Sequence, residues 1–570
     1  MVFMDEQTLK DKPDVKNRKH FSNAFPYIIF ITLIFFYLIN NYIWFKNSVP
    51  VPIIDPEAAH LSQLVEWYFP IENLKGLIEV IEGGPYSPLY YLTAVLSNRL
   101  LGTSLLSTRM ANIFWLIIIL ISVYKLGEYL FNKEAGLLAA IILSFYPAVY
   151  GSSRLFREEF GLMGMVPLSM LFLFKSEGFK NLIYSLLFGI IFGVGLMVKA
   201  PFIIFITGPM IYILIKSITS GKERKSKLRN FFLTFIIIIL IIFPRFSNQF
   251  RVREYLLVPF SEQGGVWYKF DNLRVFTLGV ANYQITPPLF LLFLFGFYLF
   301  LKRVRKGIKI PFLLWIFVPL IFLTLMPHRK LIRHIIPCLP VIALISGFGV
   351  TSIKKKIVKR IIIFLIIFIG LVQYYELSFG MGIGLDKLKI TIFGRKIPYF
   401  YNSYWDHNCS CYKPFRDDIY KEVVSYVNKH SNKAMKTTLL IPPSNKFDVD
   451  IWRMFFWFGD FPFKAVVLKS DHNFIPELVK TIKEADFVLF TEEEANLGFS
   501  RYFNQQAERV RYIFVSNFLK EEIKRFEHFL QNDYMRYKKQ YLKEINAFEI
   551  AKRFKDERGM GFYLLERINP

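Results

Sequence analysis

The sequence predicts an α-helical membrane protein with many spans, followed by a water-soluble α/β domain. Of its 570 residues, 53% are hydrophobic and 18% are aromatic, whereas soluble globular chains contain about 45–50% apolar residues. The Phe residues gather in runs such as 30–36, which have no polar face and therefore indicate helices embedded in lipid. The first run follows a charged segment and lacks an A-x-A-like exit, so we expect it to remain as a signal anchor.

About eleven apolar runs are long enough, together with their flanking residues, to cross a membrane. These runs are residues 25–43, 110–124, 137–149, 160–174, 182–198, 202–215, 231–243, 288–301, 311–326, 335–350 and 361–375. An even number of spans separates the basic N-terminal tail from the basic loops 216–229, 302–309 and 354–360, so the positive-inside rule predicts that all four are cytoplasmic. Counting residues 86–101 as a span would break this parity, and we expect a short helix on the outer membrane surface there.

The excess of positive charge favours membrane and phosphate partners over nucleic acid. The net charge is +26, but many Lys and Arg residues form short clusters between apolar runs. That placement is typical of a membrane protein that contacts anionic lipid or a phosphorylated substrate. Three cysteines are too few for a disulfide framework. Cys409 and Cys411, even with His407 nearby, offer fewer ligands than a zinc site needs, so we expect ordinary thiols or one strained disulfide.

The predicted domain boundary falls after the last apolar run, with a membrane domain at 1–376 and a soluble extracytoplasmic domain at 377–570. Short strands are predicted in the second domain, with helices between them, and this alternation indicates an α/β fold. The strands are 437–441, 463–468, 486–491 and 561–565, and the helices include 475–484 and 518–529. The stretch 521–555 is dense in mixed charge and predicts a solvated helix.

Carboxylates on two predicted outer loops are candidates for chemistry, since polar groups at membrane depth or at the mouth of a bundle are often functional. Asp55 and Glu57 follow the first span. A carboxylate there could act as a general base or hold a metal ion, and the alternative is an acidic surface loop. Glu158 and Glu159 begin a membrane helix. They either complement the helix dipole or form an acidic pair with Asp55.

Basic residues on the outer loops are candidates for binding an anion. Lys199 lies between two apolar runs, where it either binds phosphate or is a snorkelling turn residue. Arg329 and Arg333 belong to a basic segment, and Arg245 belongs to a second basic cluster on the same predicted side. Basic clusters on the outer side violate the rule that the other loops obey, which suggests an anionic ligand. The alternative is that the loop at 328–334 is cytoplasmic.

These residues resemble the GT-C glycosyltransferases of the protein-mannosyltransferase and aminoarabinose-transferase type, over roughly the first 350 residues. Asp55 and Glu57 stand where the family has its acidic motif, and the pair at 158–159 stands at its second acidic position. Residues 85–91, Pro-Tyr-Ser-Pro-Leu-Tyr-Tyr, resemble the family's Pro-Pro-Leu-Tyr-Tyr stretch. Family members often carry a basic residue before that stretch, whereas this chain has glycines at 83–84.

Two further segments extend the resemblance towards the end of the membrane domain. Residues 199–201, Lys-Ala-Pro, are similar to the family's Thr-Lys-Gly-Pro turn. Residues 333–340, Arg-His-Ile-Ile-Pro-Cys-Leu-Pro, are similar to its Arg-Tyr-Leu-Leu-Pro-Leu-Leu-Pro run. The soluble tail resembles the family's extracytoplasmic α/β domain in layout.

The resemblance implies a membrane glycosyltransferase that moves a sugar from a polyprenyl-phosphate carrier to an acceptor on the outer face, with inversion. The acceptor hydroxyl, amine or phosphate would belong to a protein, a lipid or a glycan. The implied catalytic residues are Asp55, Glu57, Glu158 and Glu159, and the implied donor-phosphate ligands are Lys199, Arg245, Arg329 and Arg333. A divalent metal ion could lie between Asp55 and Glu158, or between Asp55 and Glu159.

Two other functions stay open at this point. A transporter or flippase for lipid-linked saccharides is one, although transporters place their binding groups near the bilayer midplane. A membrane scaffold with an outer binding domain is the other. On the glycosyltransferase reading, the N-terminus is cytoplasmic, the C-terminal domain is extracytoplasmic, and the enzyme needs no nucleotide-sugar site.

Overall fold

The structure is a computed structural model, and the chain divides into two compact units. The structure describes residues 25–48, 55–84, 86–219, 223–246, 271–325, 332–385, 388–392, 395–398, 419–430, 438–441, 464–468, 474–491, 534–555 and 561–568. One unit comprises Met1–Lys46 and Gln63–Pro414, and the other comprises Asn47–Ser62 and Phe415–Pro570. The domain boundary predicted between residues 376 and 377 stays a prediction.

Helices occupy every one of the apolar runs predicted to be spans. Up to residue 379 the helices are α1 Phe25–Lys46, α2 Asp55–Gln63, α3 Leu74–Gly83, α4 Pro88–Leu101, α5 Leu105–Leu130, α6 Lys133–Ser144, α7 Pro147–Ser152, α8 Glu158–Lys175, α9 Leu182–Val198, α10 Phe202–Thr219, α11 Arg224–Phe246, α12 Asp271–Gly279, α13 Pro287–Arg303, α14 Lys306–Leu325, α15 Leu339–Thr351 and α16 Lys356–Phe379. Two π-helical turns, Leu64–Tyr68 and Val280–Ile285, and a 3₁₀ turn, Ile332–Cys338, complete them. Helix α4 coincides with the short helix predicted at 86–101.

The chain is a multi-pass membrane protein. Among the described residues, seven helices are long and apolar enough to cross a membrane, or eight if one bent pair counts as a single span. Helix α9 is apolar but shorter than these. The predicted total of eleven spans stays a prediction.

The predicted span at 137–149 is broken into α6 and α7. Pro147 begins α7, and a proline cannot donate the backbone hydrogen bond that would continue α6. Two carbonyls at the break accept hydrogen bonds from other helices instead. The Tyr37 hydroxyl donates to the Ser144 carbonyl at 2.5 Å, and the Gln373 amide donates to the Phe145 carbonyl at 2.9 Å. Side chains of α1 and α16 therefore supply the hydrogen bonds that these two backbone carbonyls need inside the bundle.

A second break lies at Thr286, where the segments Phe276–Ile285 and Pro287–Arg303 meet at a bend of 118°. Thr286 is fully buried and has φ of 80° and ψ of 147°. The following proline favours that ψ, but the positive φ is unfavourable for a β-branched residue and costs about 1–3 kcal/mol. The Thr286 hydroxyl donates to Gln373 Oε1 at 2.8 Å, so a side-chain contact accompanies the strained backbone.

Glycines allow two pairs of helices to touch through their backbones. A methyl group on Gly127 of α5 would lie 2.5 Å from the Cα atom of Gly136 in α6. A methyl group on Gly349 of α15 would lie 2.5 Å from the Cα atom of Gly296 in α13. Small residues at such crossings are the usual means of close packing between helices in lipid.

The second compact unit contains a five-stranded mixed sheet. A separate antiparallel pair, β1 Lys389–Ile392 and β2 Arg395–Pro398, precedes it in the chain. The sheet strands are β3 Thr438–Ile441, β4 Lys464–Val467, β5 Phe487–Thr491, β6 Phe548–Lys555 and β7 Gly561–Arg567, and the helices are α17 Ile419–His430, α18 Phe474–Glu484 and α19 Tyr534–Ile545. The strands lie in the order β4-β3-β5-β7-β6. Leu440 and Val488 of the sheet pack with Leu478 and Tyr541 of the helices in one core.

The four predicted strands and the helix predicted at 475–484 coincide with elements of this unit, whereas the helix predicted over 521–555 is wrong in its last part. Residues Phe548–Lys555 form strand β6, which pairs antiparallel with β7. Phe548 and Phe554 are buried while most side chains between them are exposed, because β6 is the edge strand of the sheet. The predicted helix at 518–529 and residues Cys409, Cys411 and His407 lie outside the described residues.

Candidate active site

The turn that leads into α8 is held by two buried polar side chains. The amide of Asn112 donates to the carbonyls of Leu155, at 2.7 Å, and Ser153, at 3.1 Å. The Tyr90 hydroxyl donates to Asn112 Oδ1 at 2.6 Å and accepts the backbone N–H of Arg157 at 3.0 Å. Because buried hydrogen-bonding groups are costly to leave unpaired, these contacts fix the turn immediately before the glutamate pair.

Three segments distant in sequence bring their charged side chains together at this turn. Glu158 and Glu159 begin α8 and are 2% and 3% exposed. The Lys199 ammonium, at the end of α9, lies 3.3 Å from Glu158 Oε2 and 2.8 Å from Glu159 Oε1. Arg333 Nε and His334 Nδ1, from the 3₁₀ turn, lie 3.4 and 3.6 Å from Glu159 Oε1. We call these five residues the charged cluster.

Arg245, at the end of α11, contributes a further buried cation. Its Nη1 atom donates to the carbonyls of Gly84 and Ile81, at 2.5 and 3.3 Å. It therefore ties α11 to the chain just before the Pro-Tyr-Ser-Pro-Leu-Tyr-Tyr segment. It also acts electrostatically on Glu158, while Arg157 acts on Glu159. Basic side chains thus outnumber carboxylates around the cluster, which favours an anionic ligand.

The two glutamates precede the predicted span at 160–174, and their pKa values shift in opposite directions. Burial raises the pKa of Glu158 to about 7, although Lys199 acts against the rise. Burial also opposes the ionisation of Glu159, but Lys199 and Arg333 outweigh it and hold the pKa of Glu159 well below its usual value. The lysine is the partner of both carboxylates. Neighbouring carboxyls with separated pKa values can divide acid–base and electrostatic roles.

Four buried polar atoms of the charged cluster have no hydrogen-bond partner within the described residues. They are Glu158 Oε1, Glu159 Oε2, Arg333 Nη1 and Arg333 Nε, of which Nε is in ion-pair contact with Glu159 Oε1. Such atoms are rare in folded proteins, because an unsatisfied buried polar group costs about 1–3 kcal/mol. Acceptors and donors that are unsatisfied at one place indicate a position for a ligand or for solvent.

Stacked tyrosine rings lie beside the charged cluster. The Tyr68 and Tyr91 rings stack with centroids 4.6 Å apart, and the Tyr86 and Tyr91 rings stack with centroids 5.9 Å apart. Tyr91 is close enough to Glu158, and Tyr86 to Arg333, for electrostatic interaction. The site therefore joins a charged face to an aromatic one, which suits an amphipathic substrate.

The structure brings together five of the eight residues that the sequence suggested for the site. Glu158, Glu159, Lys199 and Arg333 are in direct contact as described, and Arg245 is adjacent to them. Asp55 begins α2, and its side chain is not among those described. Glu57 is buried but belongs to the other compact unit. Arg329 lies outside the described residues, so the proximity of these three to the cluster stays a prediction.

The described residues alone do not fit a metal ion. No group of three or more His, Cys, Asp or Glu side chains that could hold one is found in the described parts of the chain. Both glutamates already contact Lys199, Glu159 also contacts Arg333, and these cations oppose the binding of a divalent ion. A metal ion between Asp55 and Glu158 stays a prediction, and no step below depends on it.

Two residues that hold this turn are not apparent as site residues from local sequence patterns. Tyr90 belongs to the Pro-Tyr-Ser-Pro-Leu-Tyr-Tyr segment, and Asn112 lies within the apolar run at 110–124. A signal for Asn112 was present, since it is a lone amide within the predicted span at 110–124. An amide in such a place needs partners inside the protein.

The raised pKa of Glu158 predicts a change of stability with pH. A carboxyl whose pKa is higher in the folded state than in the unfolded state stabilises the folded protein fully at pH values below the unfolded-state pKa, here 4.5. That contribution is lost as the pH rises through the folded-state pKa of about 7. We expect the melting temperature of the Glu158→Gln protein to fall less than that of the wild type between pH 5 and pH 8. The exposed Glu79→Gln should retain the wild-type slope. Identical slopes for all three would contradict the raised pKa.

In the described residues, a multi-span helical bundle gathers acidic and basic side chains at the ends of its helices. Residues 85–247 match the sequence model of the dolichyl-phosphate-mannose-protein mannosyltransferase family. The matched segment includes Tyr90, both glutamates of the charged cluster, Lys199 and Arg245. The match confirms, over this segment, the resemblance to the protein-mannosyltransferase type that the sequence predicts.

Solved structures show partial similarity. ArnT from Cupriavidus metallidurans, bound to undecaprenyl phosphate, is 13% identical, with 64% of this chain and 67% of that chain covered and a TM-score of 0.45. The apo oligosaccharyltransferase from Archaeoglobus fulgidus is 12% identical, with 85% and 71% covered and a TM-score of 0.43. Its complex with zinc and sulfate is 11% identical, with 92% and 72% covered and a TM-score of 0.38. The chain thus spans about two thirds of the length of ArnT, and no curated protein sequence matches it.

Proposed function

We propose that the chain transfers a sugar from a polyprenyl-phosphate carrier to an acceptor at the extracytoplasmic face, with inversion at the anomeric carbon. The observation that carries the proposal is the charged cluster, in which two buried glutamates contact the partly buried Lys199 and Arg333, and in which the glutamates and Arg333 retain unsatisfied polar atoms. The basic loops support an orientation with the N-terminus in the cytoplasm and the C-terminal domain outside. The acceptor is a hydroxyl, amine or phosphate of a protein, lipid or glycan.

The basic side chains of the site would stabilise the leaving group. As the bond between the anomeric carbon and the phosphate oxygen breaks, negative charge grows on the polyprenyl phosphate. Arg333 has an unsatisfied Nη1 atom to offer, and Lys199 is held by the glutamates at the same place. Arg245 adds a further positive charge that acts on Glu158, and we assign Arg329 to the same group from its sequence position alone.

The carboxylates would act on the acceptor. In a single displacement, the acceptor atom bonds to the anomeric carbon from the side opposite the phosphate, and its proton passes to Asp55 as general base. Glu57 would assist Asp55. Glu158, with a pKa of about 7, could exchange a proton near neutral pH. Glu159 stays ionised and orients Lys199 and Arg333.

The test uses purified protein in lipid nanodiscs with polyprenyl-phosphate sugars as donors. We expect release of polyprenyl phosphate in step with sugar transfer, and a product of inverted anomeric configuration. Arg333→Gln should bind the donor about tenfold more weakly or worse, because it loses charge-assisted hydrogen bonds. Arg303→Gln, a change at an exposed arginine on α13, is the matched control and should bind normally.

Three outcomes would contradict the proposal. Movement of the intact sugar-lipid across proteoliposomes without phosphate release would indicate a transporter. Function that persists after both Asp55 and Arg333 are neutralised would indicate a scaffold. A product of retained configuration would exclude the single displacement.

A further inference from the structure

The segment that carries Arg333 is fixed from a distant part of the chain. The side-chain amide of Gln284, in the π-helical turn Val280–Ile285, donates to the Ile332 carbonyl at 2.8 Å. Both residues are buried. Since Ile332 immediately precedes Arg333, a displacement of the π-helical turn moves the guanidinium of the charged cluster with it.

The π-helical turn is in turn tied to α16. Thr286, the residue after that turn, donates from its hydroxyl to Gln373 Oε1 at 2.8 Å. The other end of the same amide donates to the Phe145 carbonyl at 2.9 Å. One side chain of α16 thus bridges both helix breaks, the one between α6 and α7 and the one at Thr286.

Each of these breaks leads to one half of the charged cluster. After Phe145 the chain continues through α7 to the turn that places Glu158 and Glu159. At the other break, Gln284 holds the segment that places Arg333. The hydrogen bonds of Gln373 with Thr286 and Phe145 therefore connect the backbone segment that leads to the carboxylates with the segment that leads to Arg333.

The side chain at position 286 is not required by the bend itself. A backbone at φ of 80° and ψ of 147° is adopted more readily by glycine than by threonine. The hydroxyl contact with Gln373 is what the threonine adds. Buried polar side chains within a membrane bundle are costly unless they are paired, and these two satisfy each other.

We propose that Thr286 and Gln373 are positioning residues that set the separation between Arg333 and the Glu158–Glu159 pair. On the proposed function, on which this part rests, that separation determines the affinity for the phosphate of the lipid donor. The two residues touch no substrate, and they act through the segments that they connect.

The first measurement is the dissociation constant of polyprenyl phosphate for the protein in nanodiscs. Thr286→Val keeps the shape of the side chain and removes its hydroxyl, and we expect roughly tenfold weaker binding, as for other partners that orient a ligand-binding group. Thr286→Ser should restore the wild-type affinity. Thr286→Gly removes the hydroxyl and also relieves the strain of the positive φ. We expect this variant to fold but to bind polyprenyl phosphate weakly. Thr207→Val, which removes a hydroxyl bonded to its own helix in α10, should bind as the wild type does.

The second measurement needs no ligand. We expect the effects of Thr286→Val and Arg333→Gln on the melting temperature to be non-additive, because the hydroxyl acts on the position of the guanidinium. Thr286→Val and Arg303→Gln should be additive.

The two measurements separate the possible failures. Suppose that Thr286→Val and Arg333→Gln have additive effects on the melting temperature, and that Thr286→Gly binds polyprenyl phosphate as tightly as the wild type does. This result would overturn the positioning role and leave the proposed function intact. Wild-type protein that binds no polyprenyl phosphate would overturn the proposed function, while non-additive melting temperatures would still support the positioning role.

Discussion

Replacing Glu159 with Gln should lower the stability of the protein by about 3–5 kcal/mol, the typical cost of removing one partner from a buried ion pair. Its Oε1 atom is shared by Lys199 at 2.8 Å and Arg333 at 3.4 Å. A neutral amide leaves both cations in a buried site with one carboxyl that is only partly ionised near neutral pH. The melting temperature in detergent or nanodiscs measures the loss.

Glu158→Gln is the matched control, since the two glutamates are adjacent and equally buried. Because the pKa of Glu158 is about 7, its protonated form is already populated at pH 6 to 7, and the amide resembles that form. We therefore expect a much smaller destabilisation at pH 6. Adding Lys199→Met to Glu159→Gln should recover part of the loss, because it removes one of the unpaired charges. Equal effects of the two glutamine substitutions would show that the charge assignment is wrong.

Asp55→Asn should reduce the rate of sugar transfer by about 10²- to 10⁴-fold, the usual contribution of a general base. The amide has the size of the carboxylate but cannot accept the acceptor's proton. Donor binding should change little, since the phosphate ligands are untouched. Single-turnover transfer from a polyprenyl-phosphate sugar, followed together with donor binding, measures the two effects separately.

Glu72→Gln, a change at an exposed carboxylate between α2 and α3, provides the control for loss of negative charge and should transfer sugar at the wild-type rate. A near-wild-type rate for Asp55→Asn would remove Asp55 from the mechanism. Cysteine labelling that found positions 55 and 333 on opposite sides of the membrane would exclude a shared site.

The sequence predicts the apolar helices well because lipid imposes a long uninterrupted run of apolar residues. It also indicates four members of the charged cluster, since Glu158, Glu159, Lys199 and Arg333 are charges placed between such runs, where each needs a partner. The same reasoning does not reveal which charge pairs with which. The sharing of one Glu159 oxygen by three side chains depends on how three segments pack.

Features created by long-range pairing are not predictable from local patterns. The bridge from Gln373 to Thr286 and Phe145 joins residues 87 and 228 positions apart. Strand β6 lacks a clear alternation, because it lies at the edge of the sheet and its order comes from pairing with β7. Mixed charge on an exposed edge strand resembles that on a solvated helix, which explains the wrong prediction.

The glycine crossings limit where the molecule can be altered. Between Gly127 and Gly136, and between Gly296 and Gly349, the main chains themselves form the contact, so no rotamer change can absorb an added atom. Even alanine at these points would force whole helices apart, whereas Gly83 has nothing within 4 Å of a new methyl group. Reporter groups and thermostabilising substitutions therefore belong at open positions such as Gly83, away from the two glycine contacts between helices.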